Sequence, residues 1–147
     1  MIGVDSKMFN ELLRHKIVSV DENDLSGVTL LNPYAFYSCR LLEKIDLPEG
    51  LTQIGYACFA YCTSLKELTL PSTITKIETN AFLSCGITYG VGFTLYAKPK
   101  TPPTVASTLI ETQYLKKIVV PQGTLATYKA ATNWSTYADY MEESTEW

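Results

Sequence analysis

A chain of 147 residues suits one domain, able to bury roughly 70% of its unfolded surface. Hydrophobic residues at 46% and charged residues at 18% exclude a disordered chain, and a net charge of −3 leaves no basic field for a phosphate backbone. No apolar run reaches the roughly 18 to 20 residues that span a bilayer, and MIGVDSKMFNELLRHKIVSV lacks the basic start and continuous apolar core of a signal peptide.

The first expected element is a helix over residues 5–16, closing one end of the domain. Asp5 or Ser6 can cap it, and Met8, Phe9, Leu12 and Leu13 share one helical face. His15, the only histidine, falls at the helix end in Arg-His-Lys, where a cation is favourable. It has no serine elbow motif and no accessible cysteine to activate, so it reads as solvated. Val18 and Val20 then supply a short strand. DENDLSG (21–27) superficially suggests a calcium loop, but Leu25 stands at the fifth position, where that loop needs an oxygen ligand. A solvated turn is expected there.

A period of 23 residues begins downstream. Phe36, Phe59 and Phe82 keep it, as do Cys39, Cys62 and Cys85, and Leu31, Ile54 and Ile77. Each aromatic turn leads into a short alternating strand that usually ends at proline: LEKIDLP (42–48), LKELTLP (65–71) and LKKIVVP (115–121). FTLY (93–96) supplies a further strand. Ile45 and Leu47, Leu68 and Leu70, Phe93 and Leu95, and Ile118 and Val120 point inward. The segments PEGLTQI and PSTITKI carry the chain back across the far side, with Leu51, Ile54, Ile74 and Ile77 in the core. No single coil can bury its own apolar face, so coils must stack.

The pattern Ile-Gly-x-x-x-Phe-x-x-Cys-x-x-Leu-x-x-Leu-x-Leu-Pro, intact from Ile54 to Pro71, resembles the BspA-type leucine-rich repeat. The resemblance covers about residues 12 to 140. It implies a β-rich right-handed solenoid of four or five short coils with parallel strands and helical caps at both ends. The neighbouring copies depart from the pattern. Leu31-Asn32 and Ile77-Glu78 replace Ile-Gly, the third copy gains two residues before its strand, and KPKTPPTVASTLIETQY replaces the fourth aromatic turn. The repeat region is set at 17–121, a C-terminal cap at 122–141 and a loose tail at 142–147. In that cap Thr124 is expected to start a helix running to about Thr132, with Leu125 and Tyr128 inward, followed by Trp134, Tyr137 and Tyr140 at intervals of three. The stretch VPQGTLATYKAATNWSTYADYMEE resembles the closing segment of such proteins, so the chain is expected to end there.

The cysteine column is expected to pack as free thiols, because zinc sites use close pairs at two- to four-residue gaps and none occurs. YGVGF (89–93) lacks the lysine of a phosphate loop, and no opposed carboxylate pair can be assigned. No catalytic residues, metal or cofactor are expected, and the chain reads as no enzyme. Tyr34, Tyr37, Tyr56 and Tyr61 cluster on the aromatic turns as a secondary lead for contact. On the outward strand face, alternation places Ser19, Asp46, Thr69, Thr94 and Val119 in a central row, flanked by Lys44, Glu67 and Lys117 on one side and Tyr96 on the other. Asp46, Thr69, Thr94 and Tyr96 are the expected ligand contacts. The resemblance implies a protein- or glycan-binding adhesion module, extracellular or on a bacterial surface. The alternative is a structural part of a phage or prophage particle, or an intracellular scaffold.

Overall fold

The computed structural model describes residues 3–4 and 14–147. Of the helix expected at 5–16, residues 5–13 lie outside the described residues, and Arg14 is helical. Among the described residues eleven short strands follow one another. Strands β1 (Gly3–Val4), β3 (Leu30–Leu31), β5 (Gln53–Ile54), β7 (Lys76–Ile77) and β9 (Thr104–Val105) form one sheet in the order β1-β3-β5-β7-β9. A second run of strands crosses the opposite side: β2 (Ser19–Val20), β4 (Lys44–Ile45), β6 (Glu67–Leu70), β8 (Phe93–Ala97), β10 (Leu115–Val120) and β11 (Met141–Glu143). Every strand pairing is parallel.

The 23-residue period appears directly as strand register. Leu31 pairs with Ile54 and Ile54 with Ile77, so residues one period apart are neighbours in space. Phe36, Phe59, Phe82 and Phe93 form a buried row in the core. Phe36 and Phe59 stack at 5.4 Å, Phe59 and Phe82 at 5.9 Å, and Phe93 of β8 closes the row on Phe82 at 5.4 Å. The missing fourth aromatic turn is thus replaced by a strand residue. The turn backbones bond from one repeat to the next, as in Phe36 N–H to Cys58 O (2.8 Å) and Phe59 N–H to Ala81 O (2.8 Å). This satisfies buried main-chain groups that would otherwise destabilise the interior. Gly55 explains the Ile-Gly dipeptide: a Cβ there would meet the Asn32 carbonyl carbon at 2.6 Å. Backbone of the preceding repeat occupies the space a side chain would need.

The far-side segments, expected only to return the chain, instead make the five-strand ladder. Two residues per strand fall below what sequence alternation can register.

The C-terminal region corrects two expectations. The helix runs Leu125–Ala130, but Thr124 does not cap it. Its backbone lies in the helical region, and its hydroxyl donates to Pro121 O at 2.7 Å. The Glu143 carboxylate accepts from Gly123 N–H (3.0 Å) and Leu125 N–H (3.3 Å) instead. Nor is 142–147 a loose tail. Met141–Glu143 extends the sheet beside β10, Ser144 N–H bonds to Val120 O, and Ser144 is buried. The open edge of β10 offers unpaired backbone groups that this segment satisfies.

Tyr128, Trp134 and Tyr137 are buried against residues 99–110. Tyr128 Oη donates to Pro99 O (2.6 Å), Trp134 Nε1 to Pro103 O (2.8 Å) and Tyr137 Oη to Ile110 O (3.0 Å). These three polar tips take up carbonyls of the segment that follows β8.

Candidate functional site

The outward strand face is not continuous. Among the described residues no ladder joins Lys44–Ile45 to Glu67–Leu70; β2 and β4 form one small sheet, and β6, β8, β10 and β11 another. In β6 the Lys66 and Leu70 carbonyls accept bonds from Thr94 and Lys98, so alternation turns Glu67 and Thr69 main-chain groups toward β4. Leu47 is only half-buried, whereas Leu70, one period on, is fully buried. The first repeat therefore holds its strand end less firmly than the second.

Two hollows open along this break. One, of about 490 Å³, is lined by Asp21, Asn23, Asp46, Glu49, Thr69 and Lys98 among others. The other, of about 330 Å³, lies between Glu43–Asp46 and Lys66–Thr69. Asp46 and Thr69 border both. Lys44 pairs with Asp46 at 3.1 Å, an exposed contact worth little to stability. The surface is polar, with carboxylates, amide, hydroxyl and ammonium groups within one opening. It can hydrogen-bond a ligand but brings no nucleophile–base pair together.

The expected contact residues are placed unevenly. Thr69 pairs in register with Tyr96, and Tyr96 with Val119. Thr94 pairs with Glu67 and Lys117, so it belongs to the flanking row and not to the central one. Its exposure is 6%, too little for a contact residue. Glu67 pairs with Thr94, a step of 94 − 67 = 27 residues, so the third copy gains four residues over the 23-residue period and not two, and Thr69 meets Tyr96 instead of Thr94. Tyr96 is half-buried and Thr69 exposed.

Tyr89 was missed by the sequence reading. It stands on the inserted loop Gly86–Gly92, 49% exposed, with Oη at 3.2 Å from Glu43 Oε1 and the Lys66 ammonium 4.2 Å above its ring. It spans the strand-start end of the break. Its signal lay in YGVGF, where glycines with positive φ let the loop turn back.

All four cysteines are free and buried. Cys62 Sγ–H donates to Phe36 O (3.1 Å) and Cys85 Sγ–H to Phe59 O (3.2 Å), so the thiol column ties each turn to the one before. Burial pushes the Cys58, Cys62 and Cys85 thiols up. Cys39 is held below its ordinary value by the hydrogen bond from Cys62 and by the Arg14 charge, with burial opposing both. Arg14 Nη1 also donates to Tyr37 O.

Stacked 23-residue repeats, the phenylalanine row and the thiol column all coincide with the match of a family model, the BspA-type leucine-rich repeat region, in six copies over residues 4–93. The chain belongs to the BspA-type leucine-rich-repeat family. The matched region ends at the first residue of β8, so β10, the proline-rich segment and the C-terminal aromatics lie beyond it. Comparison with curated proteins finds no match. No helix among the described residues is long and apolar enough to cross a membrane.

Proposed function

We propose that this BspA-type repeat chain is a non-enzymatic binding and adhesion module, a capped right-handed solenoid that recognises a protein or glycan at a bacterial surface. The observation that supports this reading best is the break between β4 and β6. It opens a polar cleft in a rigid strand face, with Asp46 and Thr69 on its two walls and Tyr96 beside Thr69. Thr69 and Asp46 offer hydrogen bonds, and Tyr96 offers an aromatic anchor beside them. At the C-terminal end the helix Leu125–Ala130 and the aromatics after it close the apolar coil face, in keeping with the buried Tyr128, Trp134 and Tyr137.

The test is a screen of the purified chain against arrays of extracellular-matrix proteins and surface glycans, followed by the triple variant Asp46→Ala, Thr69→Ala, Tyr96→Ala. Binding should fall about tenfold or more with an unchanged thermal melt. A ligand held equally well by the triple variant would move recognition off this face.

A further inference from the structure

A second surface, on the aromatic turns of the first two repeats, carries an inference independent of the cleft. Tyr34, Tyr37, Tyr56 and Tyr61 form an unbroken chain of edge-to-face contacts: Tyr56–Tyr34 at 5.5 Å, Tyr34–Tyr37 at 5.4 Å and Tyr37–Tyr61 at 5.6 Å. The repeat does not require an aromatic at any of these positions. One period away the equivalent residues are Ala57 for Tyr34, Ala60 for Tyr37, Thr79 for Tyr56 and Ser84 for Tyr61. The four tyrosines come from four different columns, none of which holds a second aromatic, and they meet in one cluster.

Two of the four do so against the backbone. Tyr34 (φ 61°) and Tyr61 (φ 62°) occupy left-handed positions, which Asn80 (φ 59°) and Ser84 (φ 58°) fill in the third repeat. A bulky side chain there is unfavourable, so fold stability does not account for it. Tyr34 and Tyr56 are 43% and 40% exposed, and among the described residues none of the four hydroxyls has a hydrogen-bond partner.

We propose that this tyrosine chain docks a proline-rich, extended segment of a partner protein that carries an acidic residue. The turn backbone is consumed between repeats, as in Tyr34 N–H to Tyr56 O and Tyr61 N–H to Leu83 O, so it cannot take a peptide by strand addition. Recognition must run through ring faces and hydroxyls, the means by which aromatic-lined grooves hold polyproline II segments. The molecule already shows such a grip internally: Tyr128 and Trp134, edge to face at 5.1 Å, hold the Pro99 and Pro103 carbonyls. At one end of the chain Arg40 lies 5.9 Å from the Tyr61 ring and is exposed, which favours an acidic residue on the ligand.

The probe is an acetylated peptide of eight prolines followed by two glutamates, titrated into the full chain, with cello- and chito-oligosaccharides in parallel. Saturable peptide binding is expected. The double variant Tyr34→Asn, Tyr61→Ser carries residues that the third repeat holds in these columns. It should weaken binding about tenfold or more while melting at or above the wild-type temperature, and Arg40→Glu should reverse the preference toward a lysine-ended peptide. Absence of saturation at millimolar peptide overturns the proposal. So does sugar binding in place of the peptide, or a double variant that melts several degrees lower, since the tyrosines would then be structural.

Discussion

Single residues decide how closely neighbouring repeats can stack. A Cβ at Gly55 would overlap the backbone of the preceding repeat, so Gly55→Ala should destabilise the fold by about 1 to 3 kcal/mol, read from the urea midpoint. The same substitution at Gly50, where nothing lies within 4 Å, tests a different cause: its φ of 101° strains any side chain without overlap. Cys62→Ala removes both packing and the thiol bond to Phe36 O, and should cost about 1 to 2 kcal/mol. Loss of less than a few tenths would mean the column contributes nothing beyond volume. The cysteine and phenylalanine columns were legible because each recurs at one period. The left-handed backbone at Tyr34 and Tyr61 was not, because φ leaves no composition signal where an aromatic stands in place of a residue such as Asn80 or Ser84.

At the scale of elements, the C-terminal segment shows what periodicity could and could not reveal. Spacing of Trp134, Tyr137 and Tyr140 pointed to an inward face, and Trp134 and Tyr137 are buried with Tyr140 half-buried. That Met141–Glu143 would pair with β10 was hidden, since Met-Glu-Glu has no strand propensity of its own and follows the ladder it joins. Trp134→Ala removes a fully buried ring and its bond to Pro103 O, and should cost about 3 to 5 kcal/mol in chemical denaturation. Cutting the chain after Pro121 removes β11 as well as the aromatics, leaving the β10 edge and the proline-rich carbonyls without partners. The truncated protein should associate or unfold on gel filtration; a monomer with an unchanged melt would show that the segment is dispensable.

For the whole molecule, family membership and repeat register agree. The far-side sheet runs unbroken through β1, β3, β5, β7 and β9, while the strand face divides between β4 and β6. Identical 23-residue spacing on both sides gave no sign of that division, because it depends on how deeply Leu47 seats compared with Leu70. Sequence alternation found Asp46, Thr69 and Tyr96 on the outward face but misassigned Thr94, whose register depends on the inserted Gly86–Gly92 loop. A partner can enter this face only where the sheet is open between β4 and β6. Amide hydrogen exchange followed by NMR tests it most directly, without a ligand. The Leu95 amide, facing β10, and the Ile118 amide, facing β11, should be protected to the global stability, and those of Glu67 and Thr69, facing the break, should exchange at least about 100-fold faster. Equal protection at all four positions would mean a closed sheet, and with it no cleft for a partner to enter.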